Sequence, residues 1–438
     1  MEKELEGVKY MKKSKFASVL RGSEDYIIHS SLYGGVIKAK CSGAKAFFDM
    51  IESRETFEID ENEEMHQKMK EMRLIVEDSV DESNLVNYYF WESQQYELMV
   101  LPIVTRHCNF RCTYCYEDFQ DKKMEPEIYD ILLSEIERLI ELKGYKVVRI
   151  SFFGGEPLLE YEAIIHFSEK MNDVAASKNI TYIGGMSTNG FLLTEEKLKK
   201  LTSLNVKNYQ ITVDGLEDTH DRLRPQLGGQ GSWQEIMQNL CDAQRSGLDF
   251  HISIRTNFDE NIEERAEEYL DYMTKYFKED KRFCFQFEAA KRLGERGDDD
   301  LNEVNDEASV ISKMYQIASR KGLNISASIG AYISPFGMVC YAAKNDSFVL
   351  DCDGTVMKCT VHLDEAVNKI GNFSEGKIKI HDFLISYWTS RDIAAECKEC
   401  KILPICYDKK CPIVPHSNKP CRKLISIYEN SLRALYLA

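Results

Sequence analysis

The chain has no apolar run near the ~20 residues that a membrane-spanning helix needs, which sets aside a helical membrane protein. Its first residues, Met-Glu-Lys-Glu-Leu-Glu, contain no apolar signal core, so no export signal is expected and the cytoplasm is the expected location. Positive charge is in deficit: 56 Lys and Arg face 72 Asp and Glu, a formal net charge of −16. That balance argues against a general affinity for nucleic acid or an anionic membrane surface. Internal repeats and low-complexity tracts are missing too. Cysteine is nearly absent from the front of the chain, where only Cys41 precedes Cys108.

What is present is length and clustered thiols. A chain of 438 residues, 43% hydrophobic and 29% charged, can build two or three soluble domains with sizeable cores. Fourteen cysteines in a large unexported chain point to metal or redox chemistry rather than to disulfides. Three fall between Cys108 and Cys115, and eight between Cys340 and Cys421. Cys41, Cys241 and Cys284 stand alone and read as buried small apolar residues.

The first cluster is His107-Cys-Asn-Phe-Arg-Cys-Thr-Tyr-Cys-Tyr116, with gaps of three residues and then two between the cysteines. Three thiolates this close can cap three corners of a cubane iron–sulfur cluster, leaving one iron open to a small ligand. Zinc sites instead come as paired Cys-x-x-Cys elements. The apolar run 98–105 leads into the triad, which places the cysteines on the loop after a first strand, where α/β barrels carry their chemistry. The spacing, with an aromatic residue before the last cysteine, resembles the radical S-adenosylmethionine (SAM) superfamily. The resemblance implies that Cys108, Cys112 and Cys115 hold a [4Fe–4S] cluster whose open iron binds the methionine end of SAM, and that SAM is cleaved to a radical that abstracts a hydrogen atom.

Three regions follow. Residues 1–90 read as short strands over 16–38, helices over 44–51 and 63–72, and a strand over 74–77. That order resembles a winged-helix-like peptide-recognition domain, which takes a leader peptide as an added strand; a plain N-terminal cap is the alternative. Residues 97–320 alternate candidate strands (98–105, 147–153, 181–187, 208–213, 250–256, 282–287) with amphipathic helices (128–142, 164–176, 195–204, 233–246, 262–277), the pattern of parallel β/α units. Six units fit the partial (β/α)6 barrel of the radical SAM family. The acidic run 295–303 reads as a solvated loop, and Lys9, Lys12, Lys13 and Lys15 as a solvated segment. Residues 325–438 are rich in cysteine and poor in long periodic segments, as expected of a domain ordered by metal clusters. The expected fold class is therefore α/β.

Several strand ends carry polar residues. Phe153-Gly-Gly-Glu-Pro157 follows the second strand; glycines allow close backbone approach and a carboxylate can accept from an ammonium. It resembles the family element that holds the SAM amino group, which assigns Gly154, Gly155 and Glu156 to that role. Met186-Ser-Thr-Asn-Gly190 makes Ser187 and Asn189 candidates for SAM, although Asn-Gly also suits a plain turn. Gln210 and Asp214, in Gln210-Ile-Thr-Val-Asp-Gly215, are expected in the pocket, whereas His220 and Arg222 read as caps or ion-pair partners. Arg255, with Asn257 as companion, would fork onto a carboxylate.

The C-terminal cysteines resemble the SPASM domain, which houses auxiliary clusters. The resemblance implies one cubane on Cys397, Cys400, Cys406 and Cys421 and another on Cys340, Cys359 and Cys411, three [4Fe–4S] clusters in all. Four residues separate Cys406 from Cys411, where the family has three. Seven thiolates for two cubanes leave one iron open, unless Cys352 fills the gap; in Leu350-Asp-Cys-Asp-Gly354 it reads more simply as a hairpin residue. A double zinc site is the alternative. Together these resemblances imply a thioether-forming maturase of ribosomally made peptides (sactipeptide or ranthipeptide type), reduced by a flavodoxin or ferredoxin. Carbon–carbon crosslinking and formylglycine formation by an anaerobic sulfatase maturase are the enzyme rivals, and a zinc-binding scaffold the non-enzyme one.

Overall fold

The computed structural model describes residues 10–53, 56–58, 64–291, 301–374, 376–389, 393–408, 411 and 421–437. Most of the acidic run expected as a solvated loop, and the side chain of Cys41, lie outside them. The chain forms two compact units, one of residues 1–93, 329–340 and 392–438, the other of 94–328 and 341–391. The segment 325–438, expected as one C-terminal domain, contributes to both.

In the first unit, β1 (Tyr10–Lys13), β2 (Ala17–Arg21), β3 (Asp25–Ser30), β4 (Val36–Lys40), β5 (Phe57–Glu58) and β6 (Ile75–Glu77) make two three-stranded antiparallel sheets, ordered β5-β1-β6 and β2-β3-β4. Strand β3 is buried along nearly its whole length because both of its faces are covered. Tyr26 and Ile28 pack with Phe48, Ile51 and Met69 of the N-terminal segment. Alternate residues point the other way: Ile27 packs on Ile405, Leu424 and Tyr428, and His29 Nδ1 meets the Tyr428 hydroxyl at 2.8 Å. The Ser31 hydroxyl donates to the Lys401 carbonyl at 2.6 Å. The front of the chain therefore shares its core with the helix Cys421–Tyr436 and with the cysteine-bearing segment before it.

Helix Glu82–Glu92 was not foreseen. Its sequence, ESNLVNYYFWE, is rich in strand-favouring aromatics. It forms because Asp81 caps the Ser83 N–H and because Val86 and Phe90, four apart, are buried on one face.

In the second unit, β7 (Glu97–Thr105), β8 (Val147–Gly154), β9 (Thr181–Thr188), β10 (Val206–Thr212), β11 (His251–Phe258) and β12 (Phe283–Ala289) lie parallel and side by side in sequence order. The expected strands overlap each of them. Helices Pro126–Lys143, Tyr161–Lys178, Glu195–Ser203, Trp233–Arg245 and Ala266–Phe277 link them. On β8, Val148, Ile150 and Phe152 are fully buried while Arg149, Ser151 and Phe153 face the other way, half-buried. The period of two thus separates an apolar helix-covered face from a polar one.

Beyond β7 the sheet continues through β13 (Ser347–Leu350), β14 (Thr355–Met357), β15 (Lys369–Ser374) and β16 (Lys377–Ile380), to ten strands. Strand β13 runs parallel to β7, and the rest pair antiparallel. Part of the cysteine-rich region is therefore ordered by a ladder and by Leu101, Ile103, Val349 and Met357, not by metal ligation alone. Among the described residues no helix is long and apolar enough to cross a membrane.

Candidate active site

The triad loop leaves the carboxyl end of β7 and is held on two sides. On one, the Gly-Gly-Glu turn packs directly on its backbone. The Gly155 N–H donates to the Thr105 carbonyl at 3.0 Å and the Glu156 N–H to the His107 carbonyl at 2.9 Å. A Cβ on Gly154 would overlap the Thr105 oxygen, and one on Gly155 the His107 oxygen. The close approach that these glycines permit is to the triad strand. On the other side, the Arg111 and Thr113 N–H groups donate to the Pro225 and Leu223 carbonyls at 2.8 and 2.9 Å.

Glu156 is fully buried, and burial raises its pKa. Its carboxylate accepts from the Leu158 N–H (2.9 Å), the Thr188 hydroxyl (2.7 Å) and the Asn189 N–H (2.7 Å). The Asn189 side-chain amide in turn donates to Asn109 Oδ1, within the triad loop, at 2.8 Å. Glu156, expected at a ligand's ammonium group, thus ties the end of β9 to the triad loop.

Asp214 is likewise fully buried, with its pKa raised by burial. It accepts from the Asn257 N–H at 2.7 Å and from the Tyr114 hydroxyl. The Arg224 guanidinium lies 3.9 Å from Asp214 and donates to the Tyr114 oxygen at 2.7 Å. Burial works against the Arg224 charge, but Cys112, Tyr114 and Asp214 outweigh it. His220 Nδ1 accepts from the Asp214 N–H at 3.1 Å and its Nε2 meets Ser232 Oγ at 3.2 Å, a buried bracing role. Arg222 lies 3.7 Å from Asp259. The sequence assigns no role to Arg224 and marks Tyr114 only as an aromatic; a lone arginine twelve residues after the end of β10 offers no signal by itself.

Ser187 and Gln210 stand on the polar face of the sheet. With Ser151, Asn208, His251 and Ser253 they line a cavity of about 280 Å³. Arg255 is half-buried on the same face of β11 as Ser253, two residues on. Its Nε donates to Asn257 Oδ1 at 2.8 Å, and among the described residues no carboxylate lies within ion-pairing distance of it.

The three thiols suit a cluster chemically. Cys108 is buried, Cys112 and Cys115 half-buried, and the Phe110 N–H donates to Cys108 Sγ at 3.4 Å. Burial raises all three pKa values, that of Cys115 to about 12, and the charges of Cys112 and Cys115 add to the rise at Cys108. Bare thiols here stay protonated; a metal must displace their protons. Among the described residues no three His, Cys, Asp or Glu side chains converge on a single-ion site. A cubane spreads its ligands over a wider frame than one ion does.

The other cysteines divide between the units. In the first, the Cys400 N–H donates to the Cys397 carbonyl at 3.0 Å, forming a tight turn. Cys406 ends helix Leu403–Cys406, and Cys421 opens helix Cys421–Tyr436. Burial first, then the charges of Asp408, Cys406, Cys421 and Cys400, push Cys397 up to about 12. Tyr407 and Asp408 follow with φ of 47° and 53°, the left-handed region. Tyr407 holds that turn by stacking on Phe90 at 3.8 Å between ring centres. Cys340 also belongs to this unit, as does half-buried Cys411, whose chain neighbours are outside the described residues. In the second unit, Cys359 follows β14, its N–H donating to Asn368 Oδ1 at 2.8 Å. Cys352 sits in the β13–β14 turn, its thiol donating to the Ile103 carbonyl at 3.1 Å, which suits a hairpin residue. Cys284 is fully buried and Cys241 half-buried.

The sheet is thus built from consecutive parallel β/α units, and the three-thiol loop leaves the carboxyl end of β7. The chain carries a radical SAM domain: residues 102–273 match the Radical SAM superfamily. Such a domain implies a [4Fe–4S] cluster and SAM. The chain is 23% identical over 374 residues to a cysteine-type anaerobic sulfatase-maturating enzyme of Clostridium novyi, covering 77% of this chain and 96% of that protein. It is 31% identical over 150 residues to an uncharacterized protein of Methanocaldococcus jannaschii, covering 34% of this chain and half of the other. The solved structure of native anSMEcpe with bound AdoMet and Kp18Cys peptide superposes with a TM-score of 0.58 at 18% identity, over 78% of this chain and 99% of that one.

Proposed function

We propose that this protein is a radical SAM maturase that installs thioether crosslinks, sulfur to carbon, in a ribosomally synthesised precursor peptide. The observation that carries the reading is the frame around the triad. Glu156, Asn189 and Asn109 lock the Gly-Gly-Glu turn and the β9 end to the triad loop. Arg255 stands on the cavity side without a carboxylate partner among the described residues. A peptide substrate is supported by the sulfatase-maturating relative and by the peptide named with the solved structure.

In this reading Cys108, Cys112 and Cys115 hold the cluster, and Arg255 forks onto the carboxylate of SAM. Ser187 and Gln210 offer polar contacts from the cavity wall, and Glu156 and Asp214 act by positioning. When bound, the cluster and SAM supply a radical able to take a hydrogen atom from carbon. Cys397, Cys400, Cys406 and Cys421 hold a second cluster; Cys340, Cys359 and Cys411 are assigned to a third on the sequence pattern. Residues 1–90 recognise the leader peptide, and a flavodoxin or ferredoxin supplies electrons in the cytoplasm. Because β3 shares a core with Ile405, Leu424 and Tyr428, leader binding belongs to the whole chain and not to an excised N-terminal fragment.

A second reading, oxidation of Cys or Ser to formylglycine, is favoured by the 96% coverage of the sulfatase-maturating relative. Mass spectrometry of a cysteine-bearing precursor peptide after anaerobic reaction separates the two. A thioether removes two hydrogens and keeps the sulfur, whereas formylglycine formation from cysteine expels it. Protein that takes up zinc and no iron, in place of about twelve irons for three cubanes, would sink both.

A further inference from the structure

Among the described residues, Asn257 is the one side chain that bridges Arg255 and the triad loop by direct hydrogen bonds. Its Oδ1 accepts from Arg255 Nε at 2.8 Å, and its Nδ2 donates to the Tyr114 hydroxyl oxygen at 3.2 Å. An arginine only donates, so the amide can stand just one way round. The Asn257 N–H is anchored on Asp214 Oδ1 at 2.7 Å.

The Tyr114 hydroxyl is the hub. It donates its proton to Asp214 and accepts from Arg224 Nη1 at 2.7 Å and from Asn257, which fills one donor and two acceptor positions. Asp214 and Arg224 are both buried, so these bonds are charge-assisted in a low-dielectric setting and hold the phenol firmly. Tyr114 lies between Cys112 and Cys115, and Arg255 lies on β11, 141 residues further along the chain. Any shift of the triad loop therefore reaches the guanidinium through a single amide.

We propose that Tyr114, held by Asp214 and Arg224, is a positioning residue that aims Arg255, through Asn257, at the carboxylate of SAM. The inference rests on the proposed function in taking Arg255 as a SAM contact, and it adds the route by which the thiol loop sets that contact. Anchoring the loop alone would require only Asp214 and Arg224. The bond from Asn257 to Tyr114 is the part that a purely structural role leaves unexplained.

The test uses the full-length, anaerobically reconstituted protein, with iron per chain and the SAM dissociation constant as readouts. Tyr114→Phe keeps the ring and removes the hub. It should retain wild-type iron and bind SAM about tenfold more weakly, equivalent to about 1.4 kcal/mol. Arg255→Gln should weaken SAM binding by at least as much, and the double variant should bind no worse than Arg255→Gln within about twofold, the non-additivity of residues acting in series. If Tyr114→Phe does not fold, the isosteric Asp214→Asn must show the same non-additivity. The inference is overturned if the two penalties add, if Tyr114→Phe binds SAM like wild type, or if it folds but loses the triad iron. Wild-type protein that binds neither iron nor SAM would overturn the proposed function as well, and that outcome is read before any variant.

Discussion

Glu156→Ala tests how the site is framed. The substitution removes the acceptor of the Leu158 N–H, the Thr188 hydroxyl and the Asn189 N–H. The hydroxyl can turn to another partner, but the two backbone groups sit in a fully buried place. A buried donor without a partner costs about 1–3 kcal/mol, so the two orphans together cost about 2–6 kcal/mol. Relief from burying a carboxylate, whose pKa is already raised by burial, offsets part of that. Glu156→Gln keeps an acceptor for Leu158 and Thr188 but turns an NH2 toward the Asn189 N–H, so it should cost about half as much. Two compact units make a single unfolding curve a poor gauge, and amide exchange reads the site directly. In the apo protein, exchange at Leu158 and Asn189 should quicken by about thirtyfold in the alanine variant, since 1.4 kcal/mol is tenfold. Ile254, on the buried face of β11, serves as an unmoved control. Triad iron should fall in parallel, because Asn189 then releases Asn109. Unchanged protection at Asn189 together with full iron would refute the reasoning.

Gly155→Ala should abolish triad iron and spare the C-terminal clusters. The new Cβ would overlap the His107 carbonyl and lie 3.1 Å from Cys108 Cβ, whereas Gly144→Ala, with open space around it, should cost no iron; iron per chain and the spectrum of the reduced protein check both. His29 is pushed down from 6.5 to about 4 by burial, so it folds neutral while the unfolded chain takes up a proton. Its contribution is therefore complete above about pH 6.5 and falls by about 3 kcal/mol toward pH 4. Denaturant unfolding of the first unit should lose this slope in His29→Gln, and an unaltered slope would refute the assignment.

The sequence by itself determined the parts whose information is local. The spacing of Cys108, Cys112 and Cys115 is legible in one dimension because all three thiols fall on one short loop. Six alternating apolar runs named six parallel strands because a strand covered on one face repeats every two residues. Only the tertiary structure decided which polar residues face a ligand and which brace the loop. Glu156 and Asp214 look like pocket carboxylates in one dimension, yet their partners lie 33 and 43 residues further on, at Asn189 and Asn257, and close both side chains off from solvent. Arg224 has meaning only beside Tyr114, 110 residues before it. The same reason joins β3 to the helix Cys421–Tyr436 and adds β13 to the edge of β7. An apolar face or an open strand edge states that a partner is needed, and the chain's path through space decides which segment supplies it.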